Sequence, residues 1–169
     1  MMRAADPMAD AERLAAIYNY YVLHDTATFE TVEVSAETMA ARIAKVHALG
    51  LPWIVTDDSL GATGFACAAP FRDRAAYNWT LEVTVYLDRA ETGRGLGSGL
   101  YRELFRQLAA LPPGPHAPVH SLVAVVALPH PSSVAIHESF GFEHAGTVRE
   151  AGRKFDRWID VGYWQKVLG

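Results

Sequence analysis

The stretch Leu81-Glu82-Val83-Thr84-Val85-Tyr86-Leu87-Asp88-Arg89-Ala90-Glu91-Thr92-Gly93-Arg94-Gly95-Leu96-Gly97-Ser98-Gly99-Leu100-Tyr101 changes its period partway along. Leu81, Val83, Val85 and Leu87 alternate with Glu82, Thr84 and Tyr86, which predicts a strand with unlike faces. From Leu100 onward, Leu104, Leu108 and Leu111 recur at helical spacing, with Arg102, Glu103, Arg106 and Gln107 turned the other way. Between strand and helix, Gly93, Gly95, Gly97 and Gly99 alternate with other residues. Glycine opens backbone conformations closed to other residues and lets the chain approach a ligand closely. The run feeds a helix N-terminus, whose free N–H groups and dipole favour an anion, phosphate above all. Arg94 adds a side-chain donor.

The neighbours narrow the possibilities. No Gly-Lys-Ser/Thr follows, so the loop is not a Walker A loop. Ser98 and Leu100 fall where the third glycine of a dinucleotide fingerprint belongs, and the run lies mid-chain rather than after a first strand.

Working outward, Asp6-Pro7 reads as an N-cap with proline at the first helical position, and Leu14, Ile17, Tyr18 and Tyr21 form the inner face of a first helix. His24 to Glu30 is a short polar loop carrying Phe29. Ser35 caps a second helix that runs through Met39, Ile43 and Val46 and stops at Gly50. Trp53–Thr56 and Ala62–Ala69 are predicted strands joined by a polar turn. Pro70 to Arg74 is a loop leading to the Glu82 strand. Beyond the central helix, Pro112, Pro113, Pro115 and Pro118 stiffen a connector. His120–Leu128 is apolar enough for burial on both faces. Pro131-Ser132-Ser133 starts a short helix ending at Gly141, and Val148–Arg149 with Phe155–Val167 close the chain as strands. Interleaved strands and helices predict an α/β fold with a mixed sheet.

At 169 residues, half of them apolar, the chain fits one domain spanning residues 1–169. A net charge of −4 argues against a nucleic-acid binder that relies on a basic face. The N-terminus shows no apolar leader, and no run approaches membrane-span length, so a membrane role is not expected. Cys67 is the single cysteine, so no internal disulfide can form. The expected location is the cytoplasm. Prolines around His116 and His120 deny them a helical metal pairing, so no metal is expected.

The glycine run resembles the pyrophosphate loop of the GNAT N-acetyltransferases, which ends in Gly95-Leu96-Gly97; Thr92 stands where that motif opens with Gln or Arg. Three longer segments resemble the phosphinothricin N-acetyltransferase branch. They are Ala76–Tyr86, Val134–Phe142 and Gly152–Gly162, in the order that branch has them. The resemblance implies the GNAT fold, a mixed central β-sheet with splayed parallel strands flanked by helices, acetyl-CoA as cosubstrate, and usually a homodimer.

It also implies roles. Glu82 matches the family's general base, although the residues alone favour a strand glutamate on a solvent face. Val85 matches the oxyanion-binding amide, and Tyr86 and Leu87 follow it along the pantetheine arm. Gly93, Arg94, Gly95, Leu96, Gly97 and Ser98 match the pyrophosphate cradle. Tyr101 and His137 both match residues able to protonate the leaving thiolate, and the choice stays open. His130 replaces a CoA-contacting asparagine. Phe29, Glu30, Arg72 and Arg74 match the substrate loops, and two guanidinium groups with an aromatic wall suit a small anionic amino acid. The implied reaction is acetyl transfer to the primary amine of a small amino-acid-like molecule such as phosphinothricin, methionine sulfone or methionine sulfoximine. The alternatives are a GNAT enzyme for another amine (polyamine, aminoglycoside or protein N-terminus) and a non-catalytic acetyl-CoA sensor.

Overall fold

Residues 1–169 are described by a computed structural model. Along the chain run β1 (Met2–Ala4), α1 (Ala11–His24), α2 (Ala36–Ala48), β2 (Trp53–Asp58), β3 (Gly61–Pro70), β4 (Thr80–Leu87), α3 (Leu96–Ala109), β5 (Ser121–Leu128), α4 (Pro131–Ser139), β6 (Glu143–Lys154) and β7 (Arg157–Val167). The strands make one mixed sheet in the order β1-β2-β3-β4-β5-β7-β6, and the fold class is the one expected. No helix is long and apolar enough to cross a membrane.

Every neighbouring pair is antiparallel except β4 and β5, which run parallel. Their pairing covers only Thr80–Glu82 against Ser121–Val123, and the strands then part. Asp88 N–H bonds the Thr63 carbonyl, and Phe71 N–H bonds that of Thr80. By antiparallel alternation, the even-numbered residues of β4 are tied to β3. The last step of the parallel ladder takes Val83 N–H to Val123, so the Val83 carbonyl and the N–H and C=O groups of Val85 and Leu87 aim at the gap. Across it, Leu168 N–H bonds the His120 carbonyl, so Val125 and Ala127 of β5 aim theirs back.

Side chains follow the same alternation. A Cβ on Gly97 would meet Val85 and Leu87, which puts the odd side chains of β4 under α3. Tyr86 packs edge-on against Tyr18 and Tyr21, which puts the even ones, Glu82 included, on the α1–α2 side. Leu100, Leu104 and Leu108 of α3 are buried, as the periodicity predicts. Ser35 caps α2 as expected, its hydroxyl accepting from Thr38 N–H.

Several expectations need correcting. The first helix starts at Ala11, not Pro7. Asp6 instead caps a turn, its carboxylate accepting from Met8 and Ala9 N–H. Asp10 then gives its carboxylate to Arg3, through bonds of 2.7 and 2.8 Å, rather than to its own helix. The strand β1 that carries Arg3 was not expected, since three residues show no period. The last correction is β6, which runs twelve residues instead of two. Its exposed polar sequence carries no alternation, and its ladder with β7 slips twice, around Gly146 and before Gly152. Phe155 and Asp156, both at positive φ, make the turn between β6 and β7 rather than the start of β7. The burial expected for β5 holds except at Val125, which faces the gap.

Arg3 also bonds Asp57 at 2.8 Å, so its guanidinium ties β1 to α1 and β2. This pairing holds the Asp10 carboxyl below its ordinary value of 3.8, with burial opposing. A carboxyl depressed in the folded state contributes stability above its unfolded pKa and loses it as pH falls through the folded one. Asp10→Asn should therefore lower the melting temperature at pH 7. The gap to the unsubstituted protein should shrink below about pH 4, as thermal scans across pH would show.

Candidate active site

The parted strands open a cavity of about 710 Å³ that passes through the sheet. Its walls come from β4, from Val125 to Ala127, from the glycine loop, from the start of α4 and, on the other face, from α1, α2 and the loop Thr26–Phe29.

Glu82 belongs to the last paired step of β4, opposite Val123, so its carboxyl stands at the apex of the wedge. It is half-buried, and burial raises its pKa above the ordinary 4.5, with the Arg72 charge opposing. Three residues on, Val85 turns its N–H into the gap. The carbonyl of Leu87 also points there, but the Tyr21 hydroxyl takes it at 2.7 Å. Tyr86 lines the cavity with its ring, and its hydroxyl donates to the Ala27 carbonyl at 2.8 Å.

Gly95 is the N-cap of α3, at φ +80° and without any side-chain cap. The first-turn N–H groups of the helix therefore stay open, as an anion site requires. Gly93, Gly95, Gly97 and Ser98 line the cavity, whereas Leu96 stands outside its wall. Arg94 is exposed and pairs with Glu91 at 2.6 Å, turned away from the cavity. On the facing side His130 is the N-cap of α4, its Nδ1 accepting from Ser133 N–H, with Nε2 3.6 Å from Asp25.

Tyr101 and His137, each buried, are bonded to one another: the hydroxyl lies 2.8 Å from Nε2. Nδ1 lies 2.6 Å from the Ser133 carbonyl, which can only accept. The neutral ring therefore carries its proton on Nδ1, and Nε2 accepts from the tyrosine. Burial lowers the His137 pKa and raises that of Tyr101 well above its ordinary value. The two candidate acids form one hydrogen-bonded unit.

The substrate residues fare unevenly. Phe29 lines the cavity. Glu30 stands outside its wall, its carboxylate held in a fork by Arg42 with bonds of 2.5 and 3.0 Å. Arg72 and Arg74 are exposed on the loop after β3, also outside the wall. Arg72 folds over the Phe71 ring, its guanidinium carbon 4.1 Å from the centroid. Arg42 of α2 does line the cavity, and sequence reasoning missed it. A lone arginine beside an apolar helix face gives no signal of its own. Tyr18 and Tyr21, read only as inner-face residues, also line it.

Comparison with known proteins agrees with this geometry. Residues 3–162 match the acetyltransferase (GNAT) domain family. A phosphinothricin N-acetyltransferase of Streptomyces viridochromogenes is 35% identical, over 94% of this chain and 82% of that protein. An L-methionine sulfoximine/L-methionine sulfone acetyltransferase of Salmonella typhimurium is 29% identical, over 99% of this chain and 94% of that one. Among solved structures, a GNAT superfamily phosphinothricin acetyltransferase from Sinorhizobium meliloti, in complex with AcCoA, superposes with a TM-score of 0.92. It is 35% identical, covering 100% of this chain and 88% of that one.

The tautomer is directly testable. Nitrogen-15 spectra of the imidazoles should show His137 protonated on Nδ1 and neutral at pH 7, titrating below the ordinary 6.5. A signal protonated on Nε2, or a titration above that value, would break the assignment of Tyr101 as donor.

Proposed function

The chain belongs to the GNAT acetyltransferase family, and we propose that it moves the acetyl group of acetyl-CoA to the primary amine of a small amino-acid-like substrate. Glu82 acts as the general base. One observation carries this reading: a single half-buried carboxylate, raised in pKa by burial, stands where the two parallel strands part.

An α-amine is largely protonated at neutral pH and must lose a proton to attack. A carboxylate raised toward neutrality accepts that proton, directly or through a water, better than an exposed one. The amine nitrogen then bonds the acetyl carbon and negative charge gathers on the carbonyl oxygen. The open N–H of Val85 is aimed into the gap to receive it. As the carbon–sulfur bond breaks, the thiolate needs a proton. Neither Tyr101, raised, nor His137, lowered, is a strong acid at pH 7. The Tyr101 hydroxyl donates to His137 and His137 donates to the Ser133 carbonyl, so the pair shapes the wall beside the leaving sulfur without donating to it. The second proton, lost by the acylated nitrogen, reaches the thiolate through water, and Glu82 releases the first to solvent. The open first turn of α3 receives the pyrophosphate, with the loop from Gly93 to Ser98 as its cradle.

Arg42 and Phe29 give the α1–α2 side of the cavity a guanidinium and an aromatic wall, which suits the carboxylate of an amino acid. Arg72, whose charge reaches Glu82, and the exposed Arg74 beside it on the same loop supply long-range attraction for an anion. The names of the relatives, which specify phosphinothricin and methionine sulfoximine or sulfone, support the same substrate class.

Thiol release from acetyl-CoA with a panel of amines tests the substrate class: turnover confined to anionic amino-acid analogues is expected, and turnover only on spermidine or an aminoglycoside would refute it. Glu82→Gln should lower kcat by roughly 10²–10⁴ with little change in acetyl-CoA affinity. The acid limb of the kcat/KM profile, displaced above 4.5 by burial, should vanish in that variant. Tyr101→Phe should cost only about tenfold. A Glu82→Gln enzyme with unchanged turnover would remove the carboxylate from the mechanism.

A further inference from the structure

Lys154, the last residue of β6, is 5% exposed, an unusual place for an ammonium group. Its Nζ donates to three backbone carbonyls: Tyr21 at 3.1 Å, Asp25 at 2.6 Å and Thr28 at 2.8 Å. All three protons are used, and all three acceptors belong to the end of α1 and the loop after it. A cation there also meets the negative end of the α1 dipole. Two residues earlier on the strand, Gly152 lies flat beneath Phe29. A Cβ at Gly152 would fall 2.2 Å from Phe29 Cε2. The tip of the β6–β7 hairpin, otherwise exposed, thus touches the 25–29 loop twice, under its backbone and under its ring.

That loop forms a wall of the cavity through Thr26, Ala27, Thr28 and Phe29. Its other ties are the Tyr86 hydroxyl on Ala27, the contact of 2.6 Å between Tyr18 and Thr28 hydroxyls, and His130 Nε2 at 3.6 Å from the Asp25 carboxylate. Irregular backbone depends on such partners, because no helix or ladder satisfies its carbonyls. An apolar side chain would fill the same space and take that donor from the Asp25 and Thr28 carbonyls, while Tyr21 would keep only Asp25 N–H.

We propose that Lys154 and Gly152 are positioning residues that fix the acceptor wall of the active site, acting through the 25–29 loop without touching the substrate. The inference rests on the reading of that wall as the amine's. The ammonium holds the backbone in one conformation, and the missing Cβ sets how far the Phe29 ring leans into the cavity. Together they set amine affinity and leave the acetyl-CoA side untouched.

The test is Lys154→Met, read in two independent ways. Amide exchange across residues 25–30 should quicken about tenfold or more, with other segments unchanged. The KM for an accepted amino acid should rise about tenfold, while that for acetyl-CoA stays within about twofold. Gly152→Ala, which pushes the Phe29 ring without removing any donor, should reproduce the selective rise in amine KM and serves if the lysine variant does not fold. Unchanged exchange in 25–30, a uniform rise along the chain, or equal changes in both KM values would overturn the proposal. If the unsubstituted enzyme turns over no amino acid, the substrate reading fails, and the exchange experiment still decides the role of Lys154.

Discussion

The structure depends on where two parallel strands stop pairing. β4 and β5 share three steps of ladder and then diverge. Buried backbone groups are rarely left without partners, so a ladder abandoned in the middle of a sheet needs something else to receive its N–H and C=O groups. At Leu87 the tyrosine hydroxyl of α1 does so. The Val83 carbonyl and the Val85 groups are left for what enters the cavity. Everything the enzyme needs is arranged around that opening. The carboxylate stands at its apex, the uncapped helix α3 at one rim, α4 at the other, and the tyrosines of α1 close the far face.

Burial tunes the chemistry in one consistent direction. In a wedge walled by Val, Ala and aromatic side chains, desolvation disfavours every charged form. It raises the Glu82 pKa above the ordinary carboxylate value and keeps Tyr101 and His137 neutral. The single neutral tautomer that bonds Ser133 fixes the direction of the Tyr101 proton. Around the cavity three cations are held in pairs or spent on backbone: Arg42 on Glu30, Arg94 on Glu91, Lys154 on three carbonyls.

Much of this was legible in the sequence, and the boundary of legibility has physical causes. The switch of period across Leu81–Tyr101 located strand, loop and helix, because one apolar face of each is buried. Gly95 and Ser35 announced helix starts through backbone and capping chemistry that act locally. β6 was hidden because its residues are polar and exposed and its ladder slips, leaving only pairing with β7 to define it. Arg72 and Arg74 matched a motif, yet they sit on an exposed loop, while Arg42 reaches the cavity from a helix whose sequence gives no hint of it. Lys154 reads as a surface charge at a strand end. Only the fold brings it beneath a loop 126 to 133 positions away.

The central claim is that acetyl-CoA occupies the opening between β4 and β5. Residue-resolved amide exchange, with and without acetyl-CoA, tests it most directly. Cosubstrate in the wedge should protect Val85 and the glycine loop from Gly93 to Ser98. Thr84 and Tyr86, already tied to β3, should change little. Protection that leaves Val85 unaltered and appears on another face of the protein would contradict the claim.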